Sequence, residues 1–354
     1  MVDRTDYARR VTDDPALLAR ARAVHASAPV TDLHADTFIA VRHLGLDIRR
    51  RHPPPRGWNP TRLHCDLPRW REGGVRAQGL GVVVPPWCRG VARWDHARRT
   101  LDVVERTMEK ARAEVTVCRS PAEARAAWET GRLAAFLGVE GAHALDGRPE
   151  RLVELRQRGV CYLGLCHFRP TEMVAASGPK RAPYEGLGPL GAETIDLCNR
   201  LGIAVDLAHC HEASFFAALE RSRAPVLVTH GAARALADHH RNLTDEQLRA
   251  VARTGGVVGV IFYPWYLARR LSCDLGVVVD HIDHIARTAG AAHVALGSDF
   301  DGFVWTVRGL EDVAALPRLT LELLRRGYSD DDVRGILGGN FFRAWEQVVR
   351  AAEA

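Results

Sequence analysis

Eight short runs of nearly unbroken apolar residues, separated by stretches with helical spacing, constrain this chain more than any other feature. The runs are Pro29–His34, Arg76–Val84, Leu133–Glu140, Val160–Leu165, Ile203–His209, Pro225–His230, Gly255–Phe262 and His293–Phe300. A strand solvated on one face alternates apolar and polar residues, whereas one covered on both faces reads as a continuous apolar run. Between them, Asp95–Glu114, Glu193–Leu201, Glu212–Arg221, Thr244–Thr254 and Val277–Ala289 carry amphipathic helical patterns. Thr244 with Gln247 three residues on is a capping-box signature. Strand and helix in alternation predict an α/β fold with a parallel sheet. Eight repeats predict closure into a (β/α)₈ TIM barrel, with an open doubly wound sheet as the alternative. The chain 1–354 reads as a single domain, a barrel of about 29–348 behind an N-terminal helical extension, 1–28. Two long loops, Arg42–Arg71 and Phe168–Pro189, follow strands and would overhang the same mouth as lids or binding loops.

Composition excludes several classes. Hydrophobic residues at 47% and charged residues at 26% suit a globular domain large enough to need no disulfide staples. The eight cysteines (65, 88, 118, 161, 166, 198, 210, 273) form no CxxC pair and read as buried or free thiols of a reducing compartment. A net charge of +5, with many arginines beside acids on helices, reads as solvated helix faces and not as a nucleic-acid surface. The start, MVDRTDYARRVTDDPALLARAR, lacks the apolar core of a signal peptide, and no run is long enough to span a bilayer. The expectation is a soluble, cytoplasmic protein with neither a nucleic-acid nor a membrane partner.

The polar residues fall where chemistry would need them. The first strand ends in Asp32-Leu-His34-Ala-Asp36, the third in Gly138-Val-Glu140, and His167 follows the fourth. The fifth ends in Asp206-Leu-Ala-His209, the sixth in Val228-Thr-His230, the eighth in Gly297-Ser-Asp299-Phe-Asp301. In a parallel barrel these carboxyl ends converge on one face, where active sites are built. Imidazoles and carboxylates gathered there are metal ligands by type, suited to Zn²⁺. His34 and Asp36, two apart on a strand, point the same way and can grip one ion. A lone strand-end histidine is more often a hydrogen-bonded core residue. The joint placement carries the argument.

The motifs TDLHAD, GVEGAH, DLAH, APVLVTHGAARAL leading to DHHRNLTDEQL, GGVVGVIF, HVALGSDFDG and GGNFFRAWEQV run in order from about Val30 to Val348. In them the chain resembles the renal (membrane) dipeptidase family, peptidase family M19 of the amidohydrolase-like metal-dependent hydrolases, in a divergent bacterial branch. The resemblance implies a two-zinc centre, Zn²⁺ twice per chain. One ion would be held by His34 and Asp36, the other by His209 and His230, with Glu140 and a water or hydroxide bridging them. Two cations supply a nucleophile at neutral pH and polarise the scissile carbonyl. Asp299 would shuttle the proton to the leaving amine. His167 would donate to the developing oxyanion. Arg241 would fork onto the free carboxylate of a dipeptide-like substrate. A homodimer is also implied.

Other polar residues have plainer readings. His143 is expected to pack or hydrogen-bond behind Glu140, Asp301 to serve a turn, and Asp32 and Asp206 to support their ligand neighbours. His211, His239, His240, His281, His284 and His293 fall on helices or loops, where exposure is the default. Cys166 reads as packing. The loop His167-Phe-Arg-Pro-Thr-Glu-Met-Val-Ala-Ala-Ser-Gly, with Phe262-Tyr-Pro-Trp265, departs from the family's usual polar stretch and alters the walls of the pocket. Three functions follow: a zinc dipeptidase, a tailoring hydrolase of a biosynthetic pathway on the same barrel, or a non-catalytic metal-bound binding protein. Asp299 argues against the last, because a binder needs no shuttle.

Overall fold

The computed structural model describes residues 14–53, 62–85, 87–178 and 184–353. Its strands are β1 (Thr31–Ala35), β2 (Ala77–Val83), β3 (Val115–Val117), β4 (Leu133–Glu140), β5 (Val160–Gly164), β6 (Ala204–Asp206), β7 (Leu227–Gly231), β8 (Val257–Val260) and β9 (Val294–Leu296). The order is β1-β2-β4-β5-β6-β7-β8-β9, with every pair parallel. The circuit closes between the end of β1 and the segment after β9. There the Asp299 N–H donates to the His34 carbonyl at 3.0 Å, and the Asp36 N–H donates to the Phe300 carbonyl at 2.7 Å. That closure makes the fold a (β/α)₈ barrel and removes the open-sheet alternative.

The eight expected strands are present, and the structure adds β3. Strand β5 joins β4 only from Leu137 onward, which leaves the first residues of that edge open. Val115–Val117 covers it by pairing with Leu133–Ala135. A three-residue segment carries too little periodicity to be read from sequence. Several strands are also shorter than their apolar runs, and β6 shows why. The Asp206 carboxylate captures the Ala208 N–H at 3.1 Å, so the ladder stops and His209 enters the left-handed region at φ 67°. The end of β9 is handled likewise, with the Asp32 carboxylate accepting from Ser298 N–H (2.8 Å) and Oγ–H (2.6 Å).

Strand sides that face the helices pack against amphipathic surfaces. The helix Ala92–Lys110 buries Trp94, Ala97, Leu101, Val104 and Met108, at spacings of three and four residues. The helix Asp245–Arg253 starts at the expected Thr244–Gln247 capping box, with both reciprocal bonds made. Phe136, Phe341 and Trp345 stack on the amino-end side of the strands, four residues of β4 below Glu140. Packing there serves stability, and chemistry sits at the other end. Of the N-terminal extension, the described part is the helix Pro15–Ser27, tied down by His25, whose ring nitrogens lie 2.7 Å from Thr320 Oγ1 and 2.9 Å from the Gly73 carbonyl. Residues 1–13 of that extension, 54–61 of the first long loop and 179–183 of the second lie outside the described residues.

His281 corrects an expectation. It is fully buried, because its two ring nitrogens meet the Ala233 N–H at 3.1 Å and the Leu267 carbonyl at 2.9 Å. A neutral imidazole can be buried on a helix when both of its nitrogens find backbone partners. All eight cysteines are free, seven of them buried, and Cys166 packs 3.8 Å from the Cys210 sulfur. Among the described residues no helix is long and apolar enough to cross a membrane.

Candidate metal centre

Side chains from five strand ends and one loop meet around Glu140, at the end of β4. Its Oε2 faces His34 of β1, whose Nε2 lies 3.6 Å away and is also 3.2 Å from Asp36 Oδ1 and 3.9 Å from Asp299 Oδ1. Its Oε1 faces the opposite way, 3.0 Å from His209 Nε2, 3.4 Å from His230 Nε2 and 3.8 Å from His167 Nε2. The two Nε2 atoms of His209 and His230 approach each other to 2.9 Å. Three overlapping sets emerge, each with candidate ligand atoms within 4.8 Å of one another: His34/Glu140/His230, Glu140/His167/His209 and His34/Asp36/Asp299.

These donors fit a metal better than they fit each other. His34 Nε2, Asp36 Oδ1 and Glu140 Oε2 are buried without a hydrogen-bond partner among the described residues. Buried polar atoms left unpaired cost free energy, and a cation between them would engage all three. The outer nitrogens of His34 and His230 are tethered in the way that ligating imidazoles usually are, whereas His209 Nδ1 is buried without a partner among the described residues. His34 Nδ1 lies 2.8 Å from the Tyr162 hydroxyl. His230 Nδ1 lies 3.0 Å from Thr229 Oγ1, and that hydroxyl donates to Asp206 at 2.7 Å. Tyr162 can cross the barrel because Gly138 stands beside it, where a Cβ would fall 1.8 Å from the ring. Gly81 gives the same kind of room to Asp36, whose Oδ1 would lie 2.7 Å from a Cβ there.

The electrostatics divide along Glu140. Burial alone would raise its carboxyl pKa, but the charges of His167 and His34 and hydrogen bonds from His209 and His34 hold it well below the usual range. Burial, then the charge of Asp36, push Asp299 well above it, and burial with the charge of Glu140 raises Asp36. Burial disfavours protonated His34, yet Tyr162, Glu140 and Asp36 outweigh it and raise this imidazole. Burial and the Arg241 charge drive His209 well below its ordinary value, and burial, His34 and Arg241 do so for His230.

Backbone geometry marks the same place. Asp299 and Asp301 sit at φ 61° and 68°, a region that non-glycine residues occupy at a cost. Asp301 is more than a turn residue. It accepts from Thr37 Oγ1 and the His64 N–H, both at 2.6 Å, so it clamps the segment after β9 to the one after β1. His143 packs behind the cluster with Nε2 2.8 Å from the Val84 carbonyl, and Asp32 and Asp206 support the strand ends as described above.

Arg241 is buried near the cluster. It donates to the His230 carbonyl at 3.5 Å, and its guanidinium lies 5.7 Å from the centre of the Tyr266 ring. Neither Asp238 nor Asp245 pairs with it, and Asp245 instead lies 2.7 Å from His284. A cavity of about 550 Å³ opens over the cluster, with Asp36, Glu140, His167, His209, Arg241 and Asp299 on its polar side. Phe38, Ile39, Val83, Trp87 and Phe168 form apolar walls, and Trp87 and Phe168 stand exposed at the rim. All eight candidate residues of the sequence therefore meet in one cluster or line this cavity. Tyr162, Thr229 and Tyr266 were missed. The signal for Tyr162 was a hydroxyl inside the apolar run Val160–Leu165. That for Thr229 was its position next to a strand-end histidine, and Tyr266 offered none.

The geometry agrees with comparison to known proteins. A family model described as membrane dipeptidase (peptidase family M19) matches residues 18–354. The probable dipeptidase PvdM from Pseudomonas aeruginosa has the same fold, with a TM-score of 0.87 at 23% identity over 96% of this chain and 100% of that one. A metallo peptidase from Rhodobacter sphaeroides, liganded with a phosphinate mimic of the dipeptide L-Ala-D-Ala, aligns with a TM-score of 0.82 at 28% identity, covering 91% of this chain and 99% of that one. The dipeptidase AC, a metallo peptidase of family M19, gives 0.81 at 29% identity over 90% and 99%. With a family model spanning nearly its whole length, the chain belongs to the membrane dipeptidase family, peptidase family M19, and is a metallo-dipeptidase-type hydrolase.

Proposed function

We propose that this protein hydrolyses the peptide bond of a dipeptide bearing a free C-terminal carboxylate, with two zinc ions per chain. The observation that carries this is the division of Glu140, one oxygen toward His34 and the other toward His209 and His230. On this reading His34 and Asp36 would hold one ion and His209 and His230 the other, with Glu140 shared between them. Bound there, two Zn²⁺ would lower the pKa of a shared water to near neutrality and polarise the scissile carbonyl.

The chain's own residues supply the rest. Asp299, its proton affinity raised by burial and then by the charge of Asp36, takes a proton during attack and returns it to the leaving amine. His167, on the imidazole side, donates to the oxygen that gains charge. Arg241, buried and without an acidic partner among the described residues, receives the terminal carboxylate. The apolar walls exclude water and accept the side chains. The L-Ala-D-Ala mimic bound by the Rhodobacter relative supports a dipeptide substrate and tolerance of a D-residue at its carboxyl side. Free, mostly buried cysteines support a reducing, cytoplasmic setting, and a homodimer is the assembly we expect.

Kinetics on a dipeptide and its C-terminal amide test this. Wild type should strongly prefer the acid. Arg241→Ala should keep its zinc, lose that preference and lose about 2–5 kcal/mol of transition-state binding in kcat/KM. A wild-type enzyme indifferent to the carboxylate overturns the dipeptidase reading and favours the tailoring hydrolase, for which the divergent loop around the exposed Phe168 already speaks.

A further inference from the structure

A second cavity, of about 250 Å³, lies against the first with His167 as a common wall. Three arginines line it, Arg89, Arg93 and Arg169, together with His143 and His167. The first two come from the turn that opens the helix Ala92–Lys110 and from its first turn, and Arg169 comes from the loop two residues after His167. Several arginines elsewhere in this protein are matched with more than one acid. Arg158 reaches Asp102 and Glu105, and Arg326 reaches Asp280, Asp283 and Glu322. Around this cavity acids are sparse. Among the described residues no carboxylate pairs with Arg89 or Arg169, and Arg93 has only Glu172, at 3.5 Å, besides the Cys88 carbonyl.

Three guanidinium groups gathered on a concave wall repel one another and focus a positive potential into it. The amino end of a 19-residue helix, whose cap residue Val91 offers no side-chain acceptor, adds to the same sign, with Asp95 in its first turn set against it. Guanidinium forks match the oxygens of carboxylate and phosphate, and such bonds are charge-assisted. Arg89 and Arg169 are exposed and Arg93 is half-buried, so water solvates them in the free protein, and their convergence on one concave wall beside His167 gives an anion a place to displace that water.

We propose that this cavity is an anion subsite, which takes a carboxylate or phosphate group on a substrate that extends past His167. The inference rests on the proposed hydrolysis, because it assigns a second anionic group to the same substrate. Arg241 reads the terminal carboxylate, and the arginine cavity reads an acidic side chain. The preferred substrate is then an acidic dipeptide.

Two measurements on the zinc-loaded protein test it. The first is kcat/KM for the matched pairs Glu-Ala/Gln-Ala and Ala-Glu/Ala-Gln, in wild type and in Arg93→Gln/Arg169→Gln. In wild type one pair should favour the acid by about tenfold or more, and the double variant should bring that ratio close to one. The second is calorimetric titration with inorganic phosphate. Phosphate held by the metals binds both proteins alike, so only the difference is read. The double variant should bind at least about tenfold more weakly. Acid preference that depends on the arginines identifies the substrate as the source of the anion, whereas arginine-dependent phosphate binding alone identifies a free anion. If neither effect appears, the subsite is overturned. If no dipeptide is turned over while phosphate binding still depends on the arginines, the proposed hydrolysis fails and the subsite stands. Should the double variant not fold, the exposed Arg89→Gln is read in the same two ways.

Discussion

Glu140 separates two neighbourhoods built from the same kind of strand end, and they differ in sign. Toward Oε2 stand His34, Asp36 and Asp299, and toward Oε1 stand His209, His230 and His167, with Arg241 close by. On the acid side the histidine and both aspartates are pushed toward their protonated forms. On the imidazole side burial and Arg241 keep His209 and His230 neutral. Neutral imidazole is the ligand form, so the second neighbourhood is ready for a cation. The first gathers three carboxyl groups around one imidazole, a set whose mutual repulsion a cation would relieve. Glu140 belongs to both, which makes it the residue whose loss should not discriminate between them.

Replacing that shared residue gives the largest effect. Purified wild type should carry close to two zinc equivalents per chain. Glu140→Gln, which keeps the shape and removes the charge, should lower both occupancies together and take activity with them. Metal analysis after dialysis against zinc-buffered solution is the measurement. A variant that loses one equivalent and tightly keeps the other would break the symmetric reading of Glu140.

Next is Asp299, on the acid side alone. Asp299→Asn should keep the fold and most of the metal while kcat falls by about a hundredfold or more, because a positioned acid/base contributes 10²–10⁴. Circular dichroism and metal content control for structure. Near-wild-type turnover would hand the proton to another group and leave the acid side a purely structural neighbour.

What the sequence could reveal follows from distance along the chain. His34, Glu140, His209 and His230 were legible because each ends an apolar run, and in a parallel barrel a run's end is also a place in space. The closed eight-stranded order was legible for the same reason. Features that depend on register were not. Tyr162 reaches His34 because Gly138 is its neighbour across β4 and β5. The arginine cavity joins Arg89 to Arg169, eighty positions apart, through loops with no periodicity at all. His281 looked like a surface residue because nothing local announces that Ala233 and Leu267 will satisfy it. Strand β3 occupies the edge of β4 that β5, starting late, leaves open.

The two sides can be addressed separately through the residues behind the imidazoles. Tyr162→Phe removes the hydroxyl 2.8 Å from His34 and so acts on the acid side. Thr229→Val removes the link from His230 to Asp206 and acts on the imidazole side. Loss of such a partner typically costs 10–100-fold in metal affinity. Competition with a chromophoric chelator, which resolves two binding steps, should show one step weakened in each variant and a different one in each. If both substitutions weaken the same step, the division along Glu140 does not govern metal binding.

The smallest effect tests whether the neutral character of the imidazole side extends to the histidine behind it. Burial, against a hydrogen bond to the Val84 carbonyl and aided by the charges of His167 and Arg93, lowers His143 to about 4. In the unfolded chain this imidazole titrates near 6.5. Above pH 6.5 it is neutral in both states and stability is unaffected. As pH falls from 6.5 toward 4, only the unfolded state takes the proton, so the folded state loses ground. By pH 5 the loss is roughly 1–2 kcal/mol from this residue. His143→Gln can still donate to Val84 but cannot titrate, and it should flatten the acid limb of stability by that amount while matching wild type near pH 8. Urea unfolding at pH 8, 6.5 and 5, with zinc held saturating, measures it. Curves that stay parallel across the range would show that His143 already takes its proton in the fold, and that the neutral region ends at His209 and His230.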